Sequence, residues 1–101
     1  MVRILVLYNT PTDAEEFNRY YREVHIPLVL KMPGLRRFVT SRNAVPLSGE
    51  PYHLVAELDF DDMDAMGAAF ASPEGQATAD DVPKFATGGT RMMVYELHEH
   101  A

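Results

Sequence analysis

Hydrophobic residues are distributed along this chain in two patterns, one with the period of a β-strand and one with that of an α-helix. The segment Val2–Asn9 is aliphatic or aromatic at nearly every position, which predicts a strand that is covered on both faces. Three further strands are predicted at Leu35–Asn43, Tyr52–Phe60 and Arg91–His98. Within Tyr52–Phe60 every second residue is apolar, so one face of the resulting sheet belongs to the core.

The clearest helical pattern follows the first strand. Thr12 and Glu15 have the spacing of a capping box, which predicts a helix that begins near Asp13. Pro27 interrupts the pattern, because proline lacks an amide hydrogen and clashes one turn back, so we expect a kink or a restart around His25. The apolar stripe of this helix consists of residues at spacings of three and four, namely Phe17, Tyr20, Tyr21, Val24 and Leu28.

A second helical region lies between the last two strands and is predicted to come in two pieces. Asp61 is the expected N-cap of the first piece, and Ser72 followed by Pro73 is a start signal for the second. Pro83 is expected to end or bend that second piece. The order strand, helix, strand, strand, helix, strand predicts one α+β domain over residues 1–101, a ferredoxin-like β-α-β-β-α-β sandwich with an antiparallel four-stranded sheet.

In such a sandwich both helices cover one face of the sheet and the opposite face stays open. That outer face is predicted to be largely apolar, through one full side of the first strand together with Val55, Met92 and Val94. An apolar face of this kind predicts a homodimer in which two open sheet faces meet, the dimeric α+β barrel. The alternative is a monomer with an apolar outer sheet. The charged residues expected to share that face, and to pair there, are Arg3, Arg37, Glu57 and Glu96.

Composition and charge exclude several classes of function. The chain has 101 residues, 47% hydrophobic and 24% charged, which is ordinary for a globular domain with one core. Its formal net charge of -6 would repel a polyphosphate, so nucleic acid is not an expected partner. Cysteine is absent, which excludes disulfides and thiol chemistry. The apolar first strand is too short to span a bilayer and no cleavage site follows it, so we expect no membrane partner and a cytoplasmic location.

Tyr21 and His25 are the candidate catalytic pair. They are four residues apart and therefore lie on one face of the predicted helix, and the disruption at Pro27 can hold the imidazole at the mouth of a cleft. An imidazole beside a phenol in an apolar pocket can take or give a proton near neutral pH. The alternative interpretation is that His25 hydrogen-bonds a backbone carbonyl and only closes the helix end.

Aromatic side chains dominate the predicted space between the helices and the sheet, and core packing explains most of them equally well. Tyrosines are preferred as pocket walls, because a buried phenol needs a polar partner. The residues expected to bind a small apolar ligand are Tyr8, Phe38, Tyr52 and Phe60.

The remaining histidines are weaker candidates. His53 falls on the outer parity of its strand and is interpreted first as an interface residue and second as a catalytic one. His98 and His100 lie near a frayed end without a third fixed ligand, so no metal site is predicted.

Three segments of the chain resemble the EthD family, named for a protein of ethyl tert-butyl ether degradation. They are the strand Ile4–Tyr8, the Tyr-x-x-x-His-x-Pro-Leu run at Tyr21–Leu28, and the Pro-Gly-Leu sequence at Pro33–Leu35. The likeness extends over essentially the whole chain, and its most specific part is the run that contains His25. The resemblance implies a dimeric α+β barrel, a pocket between the helices and the sheet, and His25 as the acid/base.

The resemblance leaves two functions open. The wider superfamily includes cofactor-free monooxygenases, lactone isomerases and polyketide cyclases, which implies an enzyme without a cofactor that acts on a small hydrophobic or aromatic compound. The alternative is a non-catalytic protein of a degradation pathway that binds a small ligand in the same pocket. Haem-degrading relatives typically use a tryptophan, which this chain lacks, so no haem is expected.

Overall fold

The computed structural model describes residues 1–101. Four strands, β1 (Val2–Tyr8), β2 (Arg37–Thr40), β3 (Leu54–Phe60) and β4 (Thr90–Glu96), form one antiparallel sheet in the order β2-β3-β1-β4. The predicted ferredoxin-like α+β sandwich is therefore confirmed. The long first strand lies in the interior of the sheet, which explains why both of its faces are rich in apolar residues.

The strands are shorter than predicted. β2 lies at one edge of the sheet and pairs only with β3, from Arg37 opposite Asp59 to Thr40 opposite Ala56. Beyond β2 the chain leaves the extended conformation, and Asn43 has a positive φ of 54°. Outside β2 only the amides of Arg36 and Ser41 still bond to carbonyls of β3, so sequence preference alone overestimates strand length.

The first helical region has three parts, α1 (Ala14–Tyr20), a π-helical turn (Tyr21–His25) and α2 (Ile26–Val29). The predicted interruption at His25 is confirmed, and the amide of Ile26 bonds to the carbonyl of Tyr21, five residues back. Pro27 has no amide hydrogen to bond to the preceding turn. The single π-helical turn changes the hydrogen-bond pattern there, so the helix continues despite the missing bond.

The caps of two helices differ from the prediction by one residue. Asp13, not Thr12, caps α1, and its carboxylate accepts a hydrogen bond from the amide of Glu16 at 3.1 Å. Thr12 is instead directed to Thr87, with 3.3 Å between the two hydroxyl oxygens. The third helix, α3 (Met63–Ala71), is capped by Asp62 and not by Asp61.

The last helix, α4 (Pro73–Phe85), begins as predicted with Ser72 as its N-cap. Pro83 does not end this helix, because the amide of Ala86 still bonds to the carbonyl of Val82 at 3.0 Å and closes the turn around the proline. The joint between α3 and α4 is tight. A Cβ added at Gly75 would lie 2.0 Å from the carbonyl oxygen of Ala69, so only glycine fits there.

The core lies between the helices and one face of the sheet. The even-numbered residues of β1 and β3 point into it, and all of them except the partly buried Leu54 are buried. The 13 buried hydrophobic residues form one cluster. It consists of Val2, Ile4, Val6, Tyr8, Phe17, Tyr21, Val29, Met32, Ala56, Leu58, Phe60, Ala69 and Phe85. None of the helices is both long and apolar enough to cross a membrane.

The outer face of the sheet carries a group of paired charges. Arg3 Nε lies 2.8 Å from Asp59 Oδ1, and Arg37 Nη1 lies 3.9 Å from Asp59 Oδ2. The prediction that Arg3 and Arg37 share this face holds, but Glu96 is opposite Val2 and therefore faces the helices. The direction in which Glu96 points is determined by the pairing register between β1 and β4, which cannot be read from the sequence.

The same register corrects the apolar part of the outer face. Met93 is opposite Leu5, and Tyr95 is opposite Arg3, so these two residues lie on the outer face. Met92 is opposite Val6 and Val94 is opposite Ile4, so both lie on the helix side and not on the outer face, and Met92 borders the space between the sheet and the helices. The outer face therefore combines these apolar residues, which come from the other side of β4 than predicted, with the charged residues Arg3, Arg37 and Asp59.

Candidate active site

A cavity of about 300 Å³ lies between the inner face of the sheet and the helices. Of the 14 residues that line it, 12 are hydrophobic, so the cavity is suited to a small and largely apolar molecule. The sheet contributes aliphatic side chains from β1 and β3, and the helical layer contributes Val29, Phe70 and Val82. No lysine, arginine, aspartate or glutamate side chain is part of the wall.

Four of the six residues singled out from the sequence line this cavity, namely Tyr8, Tyr21, His25 and Phe38. Two do not. Phe60 is fully buried and packs against Phe70, with 6.3 Å between ring centroids. Tyr52 precedes β3 and borders a different, more polar cleft beside Asn9 and Arg91. The structure therefore brings together the predicted catalytic pair and only half of the predicted ligand-binding set.

His25 is the most polar group of the cavity wall and is only 3% exposed. Its Nδ1 lies 3.0 Å from Asp81 Oδ2, so the imidazole bonds to a carboxylate and not to a helix-end carbonyl. Nε2 makes no hydrogen bond within the chain. Since no fully buried side-chain nitrogen or oxygen atom lacks a partner, Nε2 is reached from the cavity.

Asp81 connects His25 to a second side chain. The hydroxyl of Tyr20 donates a hydrogen bond of 2.6 Å to Asp81 Oδ1, while Oδ2 faces the imidazole. The three residues come from α1, the π-helical turn and α4, so the cluster joins the two helical regions.

Burial determines the protonation states around the cavity. Desolvation lowers the pKa of His25, and the hydrogen bond to Asp81 opposes this shift only in part, so the imidazole is neutral at neutral pH. Desolvation also raises the pKa of Tyr8 and that of Tyr21. Both phenols therefore remain protonated, and the two hydroxyls also interact with each other.

Phe85 fills the space behind the candidate site. Its ring centroid lies 4.7 Å from that of His25, 5.5 Å from that of Tyr21 and 5.6 Å from that of Tyr8. Phe17 adds a fourth contact at 5.3 Å. This aromatic packing holds the imidazole in place and keeps water away from one side of it.

Asp81, its partner Tyr20 and Phe85 were not predicted from the sequence as site residues. One signal was available, because Asp81, Val82 and Phe85 have the spacing of one helical face. A carboxylate on an otherwise apolar face is costly unless it has a partner, so its presence points to a buried polar contact. The identity of that partner depends on how the two helical regions pack.

The expectation for His53 is wrong. Its Nε2 lies 2.8 Å from Asn18 Oδ1, and its ring packs edge-on against Phe17 at 4.7 Å, so it contacts α1 instead of the outer face. Strand alternation does not apply to His53, because β3 begins only at Leu54. No group of three or more histidine, cysteine, aspartate or glutamate side chains is placed to hold a metal ion.

The sheet order, the helices on one face and the cavity between them define an α+β ferredoxin-like protein with an internal ligand-sized space. The sequence profile of the EthD domain matches residues 9–89. The chain belongs to the EthD family, as its motifs predict.

Two relatives are similar over nearly the whole chain. An uncharacterized 11.0 kDa protein from the thcB-thcC intergenic region of Rhodococcus erythropolis is 40% identical over 95 residues, which cover 92% of this chain and 91% of the relative. An EthD family protein from Bacillus halodurans has a solved structure with a TM-score of 0.88 and 32% identity, covering 97% of this chain and 99% of the other.

More distant structures share the fold alone. A dimeric ferredoxin-like protein of unknown function from Thermobifida fusca has a TM-score of 0.73 and 15% identity, covering 95% of this chain and 90% of the other. SnoaB, a cofactor-independent oxygenase from Streptomyces nogalater, has a TM-score of 0.70 and 16% identity, covering 97% of this chain and 93% of its own. An enzyme of this fold without a cofactor therefore has a precedent.

Proposed function

We propose that this protein is a cofactor-independent enzyme that moves a proton on a small, uncharged and largely apolar compound in the cavity, with His25 as the acid/base. The observation that carries the proposal is that His25 lines an apolar cavity while its Nε2 has no hydrogen-bond partner in the chain. A neutral imidazole nitrogen in that position is suited to take a proton from a bound molecule.

The cavity wall indicates which kind of compound fits. A charged group on the ligand would lose its hydration without gaining an opposite charge from the wall. The only titratable nitrogen in the wall is the imidazole of His25, which is neutral at neutral pH. The phenols of Tyr8 and Tyr21 are the donors available to a ligand oxygen. We therefore expect a ketone- or lactone-like compound with a carbonyl oxygen near these phenols and an acidic C–H near His25.

The proposed step is removal of a proton from the carbon next to the carbonyl. The C–H bond breaks, an N–H bond forms at Nε2 of His25, and the electron pair moves to the carbonyl oxygen as an enolate. A hydrogen bond from one of these two phenols stabilises that oxygen as its negative charge develops. If a C=C bond is conjugated with this enolate, the imidazolium then returns the proton to the far carbon of that bond, so the double bond shifts and the compound is isomerised with no net gain or loss of atoms.

The experiment that tests this proposal does not require the natural substrate. Uncharged ketones and lactones are incubated with the protein in D₂O, and replacement of the α-hydrogen by deuterium is followed by NMR. The wild-type protein should accelerate exchange for at least one compound, and His25→Gln should lose about 10²-fold or more of that rate. The matched control is His98→Gln, which changes an exposed histidine far from the cavity wall.

A second candidate function is that of a non-catalytic ligand carrier, which the almost wholly apolar wall also favours. Binding is measured on the same compounds by thermal shift and by chemical shift changes of residues such as Phe38. Binding that is equal in the wild type and in His25→Gln, without exchange, supports the carrier and overturns the enzyme. The absence of both binding and exchange overturns both functions.

We further propose that two copies pair through the outer face of the sheet. Met93 is 51% exposed and Tyr95 is 38% exposed in the single chain, and the strands beside them present Leu5, Leu7 and Val55 on the same face. Burying such a face stabilises an assembly of two copies. The structurally similar protein from Thermobifida fusca is dimeric, which supports pairing of two copies.

Sedimentation equilibrium at micromolar concentration tests the dimer. The wild type should have twice the mass of one chain, and Leu5→Glu should reduce it to a single chain, because a carboxylate would be buried at the centre of the interface. Leu47→Glu is the matched control, since Leu47 is fully exposed in the loop between β2 and β3. A wild-type protein with the mass of one chain would refute this arrangement.

A further inference from the structure

The hydrogen bonds of His25 continue beyond the cavity wall. Nδ1 faces Asp81 Oδ2 at 3.0 Å, and Tyr20 donates to Asp81 Oδ1 at 2.6 Å. The side chains of His25 and Asp81 are only 4% and 5% exposed. On His25 the proposed proton transfer uses Nε2 alone, so it gives no role to the carboxylate of Asp81 or to the phenol of Tyr20. A carboxylate buried beside two uncharged partners destabilises a fold unless their hydrogen bonds offset its lost hydration.

We infer that Asp81 is a positioning residue that holds His25 in the tautomer protonated on Nδ1, and that Tyr20 holds Asp81 in the orientation this requires. The inference rests on the proposed function in one respect, because the tautomer affects the reaction only if Nε2 is the base.

The tautomer follows from the kinds of groups that meet. An ionised carboxylate accepts hydrogen bonds and cannot donate them, so a contact of 3.0 Å between Asp81 Oδ2 and Nδ1 requires the hydrogen to lie on Nδ1. A neutral imidazole has only one N–H group, so Nε2 of His25 carries a lone pair. That lone pair is directed to the cavity, which is the form a base needs.

Asp81 also acts after the proton has moved. When Nε2 of His25 takes a proton, the ring becomes a cation that is buried in an apolar site. The adjacent carboxylate stabilises this cation without accepting the proton itself. The charge therefore lowers the free energy of the state that follows proton removal.

Tyr20 fixes the carboxylate from the other side. Its hydroxyl occupies Oδ1 of Asp81 and leaves Oδ2 for the imidazole. Its ring stacks on Phe85 at 5.5 Å, and Phe85 in turn contacts His25, so the phenol and the imidazole are held by one aromatic side chain. Rotation of the carboxylate would break both hydrogen bonds at once.

The π-helical turn explains how both partners reach one carboxylate. Tyr20 and His25 are five residues apart, and in a regular α-helix they would be about 140° apart around the axis. A π-helical turn bonds residue i to residue i+5 and so places them on the same side. The turn at Tyr21–His25 therefore aligns the phenol and the imidazole toward α4, where Asp81 lies between them.

NMR of protein labelled with ¹⁵N in histidine tests the inference in the intact chain without any substrate. In the wild type at pH 7.5, the ring of His25 should show a protonated Nδ1 and an unprotonated Nε2. In Asp81→Asn the side-chain amide can present either its oxygen or its NH₂ group to the ring, so the Nδ1-protonated fraction should fall. The pKa of His25 should fall as well, because the attraction of the carboxylate is lost.

Asp80→Asn is the matched control, since Asp80 is the neighbouring aspartate of the same helix and is exposed. It should leave the tautomer and the pKa of His25 unchanged. A wild-type ring protonated on Nε2 would overturn the inference even if Asp81→Asn failed to fold. An Asp81→Asn protein that folds and keeps both the tautomer and the pKa of His25 would also overturn it.

The rate of deuterium exchange separates this inference from the proposed function. Asp81→Asn should lose about 10²-fold or more of the exchange rate with little change in KM, and Tyr20→Phe should lose less. If the wild type shows no exchange but the predicted tautomer, the proposed reaction fails and the positioning role stands. If exchange depends on His25 but not on Asp81, the positioning role fails and the reaction stands.

Discussion

Asp59 and Asp81 are equally buried, each 4% exposed, but their surroundings differ. Asp59 lies on the outer face of the sheet between the guanidinium groups of Arg3 and Arg37. Asp81 lies on the helix side, between a phenol and an imidazole that is neutral at neutral pH.

The comparison shows two ways of burying a carboxylate. At Asp59 the hydrogen bond from Arg3 lowers the pKa of the carboxyl. The positive charge of Arg3 offsets the cost of burying the negative charge of Asp59, so the contact stabilises the sheet. At Asp81 no cation is adjacent, so the cluster contributes less to stability than its hydrogen bonds suggest. We interpret the Arg3–Asp59 pair as structural and the Asp81 cluster as functional, with the aromatic residues around it maintaining the fold.

Loss of that aromatic packing should have the largest effect on stability. Phe85→Ala should lower the free energy of unfolding by about 3–5 kcal/mol, because it removes a buried ring that contacts His25 and four other aromatic rings. Urea denaturation measures the change. Leu47→Ala, at a fully exposed position, should change stability by less than about 0.5 kcal/mol. A loss of the same small size for Phe85→Ala would contradict this account of the helix side.

The structural interpretation of Asp59 predicts the next largest effect. Asp59→Leu should destabilise the protein by about 2 kcal/mol, because it leaves Arg3 partly buried without its partner. We expect less than for a completely buried pair, since the outer face is open in the single chain and Arg37 is 56% exposed. Asp61→Leu is the control. Its pair with Arg36 is exposed at both ends, so its loss should be smaller by the same denaturation assay.

The same substitution at the other aspartate should cost less stability. Asp81→Leu removes a charge that has no cationic partner, so its stability should differ from the wild type by only about 1 kcal/mol. The exchange activity proposed for His25 should nevertheless be lost. A loss of stability as large as that of Asp59→Leu, measured side by side, would make the two aspartates equivalent and remove the distinction between them.

The smallest expected effect is on the pH dependence of stability. Burial lowers the pKa of His25, so the folded state binds this proton less readily than the unfolded state, whose histidine titrates near 6.5. Stability from this residue is complete above that pH and falls as the pH drops below it. Asp59 also has a lowered pKa, but its contribution is complete above about pH 4 and is lost only below it.

Denaturation at several pH values separates the two contributions. His25→Gln should flatten the dependence between pH 7.5 and 5.5 and leave the acid range unchanged. Asp59→Leu should do the reverse. If both variants kept the wild-type dependence in both ranges, the assigned directions of the two pKa shifts would be wrong.

The candidate site was only partly predictable from the sequence, because some of its residues are far apart along the chain. The pairing of Tyr21 with His25 follows from a local spacing, so it can be read from the chain before the fold is known. Asp81 is 56 residues from His25, and no local pattern specifies that distance. The alternation of residues along β3 predicts that Phe60 points toward the helices. It does not predict whether Phe60 lines the cavity or packs in the solid core.

The pairing register of the edge strand β4 could not be predicted from the sequence either. Nearly every residue of β4 suits a strand, and either set of alternating residues is apolar enough to face outward. Pairing with β1 makes the choice, and it places Met93 outward and Met92 at the cavity.

The sequence by itself determined the order of strands and helices, the helix interruption before Pro27 and the position of Tyr21 and His25 on one helical face, because each depends on residues within one or two turns of one another. Only the tertiary structure decided which carboxylate meets His25, which face of β4 is exposed and which aromatic residues line the cavity. Those contacts join distant segments, and packing of the two helical regions on the sheet brings them together.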